Sequence, residues 1–319
     1  MANSKISALT AVTTPAGTDE FAVNQGGTSK KVTLALMLTN DHHAGYIEFD
    51  AITDPSAPAA GDLRIYTKSV AGRIVPKWIG PSGLDTMFQA SLAANNITMW
   101  LPGTGTTAAI NFGVSWTISA TQAHPTIATT NLMTSMKRAT FTCTTTSTAQ
   151  SGIRTAAPIC FRGNATGLGG FFFAARFGIL TYVSTMRIWC GLSGVSGALS
   201  GDPSAQNDTV AMTKDSGETT WQVMTRDTTA ASKTSTGRTT AAATNTNIFD
   251  FYAFCKPNDT HVYVRVVDID GTVLVDNVDK TSNLPTNTTA LYAHCETQST
   301  VASSVPAIFL NKIYIESDI

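Results

Sequence analysis

His261-Val262-Tyr263-Val264-Arg265-Val266-Val267 alternates its side chains, and Asp270-Gly271 then turns the chain into Val273-Leu274-Val275. A period of two sends successive side chains to opposite faces of a strand, and Asp-Gly between two such runs is among the clearest short-range hairpin signals. Working outward, strong strand signals recur at 171–177 (Phe-Phe-Phe-Ala-Ala-Arg-Phe), 186–192, 220–224, 248–254 and 307–315. Short apolar and aromatic runs punctuated by Gly, Asn and Pro predict an all-β fold, with a two-sheet sandwich over residues 106–319. The Thr/Ala stretch from Thr228 to Asn247 lacks strong apolar anchors, so a long exposed loop is expected there.

Composition agrees. Threonine is abundant, and β-branched side chains suit a pleated surface better than a helix. Only 13% of the 319 residues are charged and the formal net charge is −1, against roughly 25% charged in an ordinary domain. Without a basic stripe the chain lacks the electrostatic footprint of a nucleic-acid binder. Scarce Lys and Glu also leave strand edges poorly guarded, which favours burial in an oligomer. The five cysteines are widely spaced with no C-x-x-C, a pattern that predicts buried free thiols rather than zinc or a disulfide framework. The N-terminus has no apolar signal-peptide core, and the most apolar run, Gly169 to Leu180, is interrupted by Arg176 and too short to span a bilayer.

Two smaller zones precede the sandwich. In residues 1–40, Glu20 to Leu34 reads as strand, Gly-Gly turn and strand, and Leu34 to Leu38 as one or two helical turns. So small a segment cannot bury a core alone. Residues 41–105 hold a strand at Tyr46-Ile47-Glu48-Phe49, a Pro-rich linker from Asp54 to Gly61, and a hairpin from Leu63 to Trp78 turning at Ala71-Gly72. Asp85 can cap a short helix with Leu84, Phe88 and Leu92 on one face, a stripe that suits packing around a symmetry axis.

Chemistry is sparse, and no catalytic residue, metal ligand or cofactor is assigned. His42-His43 is the one histidine pair; neighbours on a strand point apart, so it is expected in a solvated loop unless a trimer axis gathers three copies around an ion. Asp268-Ile269-Asp270-Gly271 has the look of a calcium loop, but Val273-Leu274-Val275 is strand where ligands would be needed, so a plain turn is expected. Asp202, Asp208, Asp215, Glu218 and Asp250 could serve glycoside hydrolysis only as a close pair in a cleft, and nothing in the sequence pairs them. The stretch Asp202 to Asp208 is expected to be a solvated loop, and Gly191 to Gly197 a flexible one without a nucleophile elbow. Trp116, Trp189, Trp221, Tyr252 and Tyr263 are core candidates; any that face outward would make a carbohydrate platform.

Lys5 to Thr10, Gly17 to Asn24 and Ser29 to Thr33 resemble N-terminal segments of tailed-bacteriophage tail-fibre and related virion proteins, and Gly61 to Tyr66, Ala71 to Arg73 and Trp78 to Asp85 (with Gly80-Pro81-Ser82-Gly83-Leu84-Asp85) resemble a module of phage structural proteins. The C-terminal two-thirds is similar in pattern to jelly-roll, concanavalin-like sandwiches. The resemblance implies a non-enzymatic homotrimeric virion fibre made in the bacterial cytoplasm. Residues 1–40 would attach to a tail protein, portal-proximal adaptor or capsid, residues 41–105 would be a trimerisation module, and the sandwich would meet a host-surface glycan or protein, with no nucleic acid and no membrane insertion. A capsid decoration protein or head fibre, and a glycan-depolymerising tailspike, are the alternatives.

Overall fold

The structure, a computed structural model, describes residues 20–25, 28–33, 48–56, 58–59, 62–79, 96–103, 109–165, 169–198, 200–241 and 247–317. The chain divides into two compact units, Met1–Ile52 and Thr53–Ile319. In the first, β1 (Glu20–Gln25) pairs antiparallel with β2 (Thr28–Thr33), Phe21 opposite Val32. This is the strand–turn–strand read from the sequence. The helical turns expected at Leu34 to Leu38 and the His42-His43 pair lie outside the described residues, as do Tyr46 and Ile47. Glu48 and Phe49 carry no regular strand.

The second unit is all-β. It begins with a hairpin, β3 (Arg64–Val70) and β4 (Arg73–Ile79), joined by Ala71 and Gly72, both at positive φ (51° and 75°). Such a turn matches the twist of the flanking strands. A Cβ at Gly72 would sit 2.6 Å from the Tyr263 ring, so both conformation and close approach demand glycine. The preceding linker has no regular structure but is pinned: Tyr66 Oη donates to Asp54 at 2.9 Å, and Lys68 and Lys77 also contact that carboxylate. The short helix expected from Asp85 lies outside the described residues.

The remaining strands form the expected jelly-roll sandwich. Its nine-stranded sheet contains β5 (Asn96–Leu101), β6 (Ile110–Phe112), β8 (Thr121–Ala123), β9 (Ala139–Thr142), β11 (Phe171–Thr181), β16 (Ile248–Cys255), β17 (Val262–Asp268), β18 (Val273–Lys280) and β20 (Ala307–Ser317). The order is β18-β17-β16-β11-β20-β5-β6, with β9 pairing β20 further along and β8 outside β9. The facing sheet runs β15-β14-β13-β12-β19-β10-β7. Here β7 is Trp116–Ser119, β10 Gln150–Thr155, β12 Arg187–Ser193, β13 Thr209–Lys214, β14 Thr220–Arg226, β15 Ala231–Thr239 and β19 Tyr292–Gln298. β5 belongs to the nine-stranded sheet, so the sandwich takes in residues ahead of position 106.

The core is aromatic at its centre. Trp221 packs edge-on against Phe249 and Phe177, at 5.2 and 5.7 Å between ring centroids, and Phe173 meets Phe251 at 5.9 Å. Each such pair contributes about 0.5–1.5 kcal/mol beyond the area it buries. All five cysteines are buried and free, as expected; burial pushes the Cys143 thiol up to about 11.

Two loop expectations are corrected. Thr228 to Asn247 is not a long loop, because Ala231–Thr239 is β15, an edge strand on β14. An edge strand needs one partner and keeps a wet face, so Thr and Ser suffice and no apolar stripe announces it. Gly191 to Gly197 is not wholly loop either: Gly191, Leu192 and Ser193 end β12. A Cβ on Gly191 would lie 2.2 Å from the Val210 carbonyl oxygen, so this glycine serves close strand approach rather than flexibility. The Asp268–Gly271 turn forms as expected, with Asp268 N–H donating to Thr272 O at 2.8 Å.

Candidate functional site

Alternation along β12 and β19 sends Ile188, Cys190, Leu192, Ala293 and Cys295 into the core. It therefore places Arg187, Trp189, His294, Glu296 and Gln298 on the opposite face of the seven-stranded sheet. Register sets Trp189 beside Glu296 on one side and Thr213 on the other, and Arg154 of β10 beside His294. This face is polar, yet Trp189, His294, Glu296 and Gln298 are all buried.

What buries them is the chain itself. Residues 194–198 and 200–208, between β12 and β13, lie across the sheet. Val195 packs on Trp189 and Ala211, and the Trp189 and His294 rings sit 5.3 Å apart. His294 Nε2 donates to the Val195 carbonyl at 2.8 Å, leaving Nδ1 3.8 Å from Glu296 Oε2. Glu296 in turn accepts from Arg154, which also donates to Ser119 Oγ at 2.7 Å. Further along, Arg187 forks to Asp202 and Gln298, each at 2.7 Å, and the Gly201 amide donates to the same Gln298 oxygen. Asp215 accepts from the Ser204 amide, and Arg226 donates to the Ser204 carbonyl at 2.8 Å. Burial alone would raise the Asp202 carboxyl; the Ser216 amide and Arg187 outweigh it and hold it below the usual carboxylate range.

The stretch Asp202 to Asp208 is thus not a solvated tip. Pro203 and Asp208 are buried, and Asp208 accepts from the Thr286 amide at 2.6 Å. Of the candidate carboxylates, Asp202, Asp215 and Glu218 gather at one end of the seven-stranded sheet. Arg187 neutralises Asp202, and Lys233 bridges Asp215 and Glu218. Asp208 stands at the far end of β13. Asp250 lies on the other sheet in a two-bond pair with Arg176 (2.8 and 2.6 Å). No carboxylate pair among these faces an open cleft as glycoside hydrolysis requires. Among the described residues, no three His, Cys, Asp or Glu side chains group to hold a metal ion, and no helix is long and apolar enough to cross a membrane.

The aromatic candidates divide. Trp221 is core. Trp189 is buried under the 194–208 loop, and Trp116 is half-buried at the sandwich edge. Tyr252 and Tyr263 alternate with core residues and lie on the outer face of the nine-stranded sheet. There Tyr252 and Tyr314 flank Phe172 at 6.3 and 6.5 Å, with the Arg73 guanidinium 4.7 Å above the Phe172 ring and paired with Glu316. A cleft of about 130 Å³ at this junction is smaller than the roughly 300–1,000 Å³ of small-molecule sites.

The sequence matches no family model and no curated protein. Among solved structures, the chain is similar to a protein of unknown function from Shewanella oneidensis MR-1, at 13% identity and TM-score 0.49 over 73% of this chain and 90% of that one. It is also similar to arcelin-5, a lectin-like defence protein from Phaseolus vulgaris, at 8% identity and TM-score 0.45 over 70% and 98%. Alginate lyase A1-II′, a member of polysaccharide lyase family 7, aligns at 12% identity and TM-score 0.39 over 70% and 96%.

Sequence reasoning missed Arg154, Arg187, His294, Glu296 and Gln298. Tyr292–Gln298 does alternate, but its inward residues are Ala293, Cys295 and Thr297, too small or polar to stand out as apolar signals. The period of two was there; the contrast was not.

Proposed function

We propose that this chain is a non-catalytic structural component of a bacteriophage virion, a homotrimeric tail fibre. Residues 1–40 attach it to the particle, and the β-sandwich is presented for recognition of a host-surface glycan or protein. The observation that carries the reading is the division of the chain. Among the described residues of Met1–Ile52 the strands are the two of one hairpin, whereas Thr53–Ile319 holds a full two-sheet core. An isolated hairpin is marginal in water, so a segment of this kind gains its stability from what it docks on. The resemblance of Lys5 to Thr33 to fibre N-termini supplies the particle.

The absence of catalysis in this reading is supported by the state of the acids. Asp202, Asp215, Glu218, Asp250 and Glu296 each already face a cation, and the chain's own 194–208 loop occupies the polar sheet face. Gold-labelled antibody against Thr53–Ile319, applied to purified particles, tests the assignment. Label at the tail is expected. Label over the shell would move the protein to the capsid as a decoration protein or head fibre, and unlabelled particles that lack the chain would remove the virion role.

A further inference from the structure

Of the five buried thiols, two are partners. Cys190 of β12 stands directly opposite Cys295 of β19, and both side chains point into the core. Cys160 opposes Leu291 and Cys255 opposes Phe171, so among the described residues register joins no other two cysteines.

Opposed residues of antiparallel strands come in two kinds, and the backbone tells which kind this is. Along β19 the odd-numbered residues turn their backbone groups to the β10 side. Ala293 N–H donates to Thr155 Oγ1 at 3.1 Å, and just past the strand Ser299 N–H donates to Ala149 O at 2.8 Å. Along β12 the even-numbered residues turn to the β13 side, as Gly194 N–H does in donating to Asp208 O at 3.0 Å. The register between β12 and β19 runs unbroken from Arg187 to Ser193. Cys190 and Cys295 therefore exchange no backbone hydrogen bond. In such a pair the Cα atoms are about 4.5 Å apart and the side chains are at their closest. That separation lies inside the roughly 4.4–6.8 Å that a disulfide spans, at its short end.

We propose that Cys190 and Cys295 are a latent cross-strand disulfide, closed by hydrogen peroxide once the chain leaves a reducing compartment. One thiolate attacks peroxide and breaks its O–O bond, becoming a sulfenic acid while hydroxide leaves and takes up a proton. The second sulfur then attacks the sulfenic sulfur; the S–S bond forms and water leaves. Two thiols have lost two electrons and two protons, and one peroxide has become two waters. Hydrogen peroxide is uncharged and scarcely larger than water, so a small opening of the sheet admits it. Burial, with Cys295 beside it, pushes the Cys190 thiol well up, so thiolate is scarce and closure is slow. The closed bond fixes β12 on β19 in the register that sets Trp189 beside Glu296 on the opposite face. The inference does not depend on the particle assignment.

The test incubates the folded full chain with hydrogen peroxide overnight, quenches with catalase, then unfolds it and alkylates with N-ethylmaleimide. The five alkylated thiols are expected to become three, the two missing ones recovered by mass spectrometry as a linked Cys190–Cys295 peptide that dithiothreitol reopens. Cys295→Ala, treated alike, is expected to keep every remaining thiol. The wild-type peptide map stands by itself should that variant misfold. Five alkylated thiols after peroxide, a link between other cysteines in its place, or oxygens on Cys190 and Cys295 that dithiothreitol does not remove would each overturn the proposal.

Discussion

Trp221 donates its indole N–H to Asn247 Oδ1 at 2.9 Å in the middle of the sandwich, and both side chains are fully buried. Asn247 passes the bond on, its Nδ2 donating to the Thr240 carbonyl at 2.9 Å. One of the largest side chains of the core is thereby satisfied without water, and the start of β16 is tied to the end of β15. Replacing Asn247 by Ala leaves the indole N–H and a carbonyl unpaired in an apolar surround. The expected loss is about 2–6 kcal/mol, at 1–3 kcal/mol for each orphaned group. Denaturant unfolding measures it, and a loss below about 0.5 kcal/mol would mean the bond is dispensable.

The 194–208 loop should be held by its staples rather than by the core. Arg187→Ala removes the donors to Asp202 and Gln298. Hydrogen exchange is expected to quicken at least tenfold across residues 194–208, while amides of β11 and β16 keep their protection. Exchange that is unchanged in the loop would show that Val195 on Trp189 suffices to hold it.

Acid should release the linker ahead of the hairpin. Burial raises the Asp54 carboxyl, but hydrogen bonds from Lys68, Lys77 and Tyr66 prevail and bring it to about 2 from 3.8. A folded pKa below the unfolded one adds stability that is present above the unfolded value and is lost as pH falls through the folded one. The window is therefore from about 4 down to about 2. Carbon-detected NMR of the Asp54 carboxyl should show a midpoint near the lower end in the wild type and a higher one in Lys77→Met. Equal midpoints would contradict the pinning.

The proposed lack of catalysis has its own readout. Incubation with host polysaccharide is expected to release neither reducing ends nor unsaturated uronates. Should product appear, Glu296→Gln and His294→Ala would show whether the face under the 194–208 loop produces it.

How far the sequence could be read follows from contrast in side-chain size. β17 places Val inward at every second position, and β11, β16 and β20 place Phe, Ile or Leu at most of their inward positions, so their pattern is visible. β15 is an edge strand of Ser and Thr, and β19 alternates Ala, Cys and Thr with polar residues, so both are silent although β19 is central. The polar face was hidden for a second reason. Arg154, Trp189 and His294 come from three strands and are brought together by register, which no local window contains.

The most direct test is a cryo-electron reconstruction of the particle that carries this chain. The account predicts the sandwich standing out from the particle, with residues 1–40 ordered and gripped by another virion protein. Residues 1–40 freely mobile in the particle, or folded by themselves without a neighbour, would contradict it.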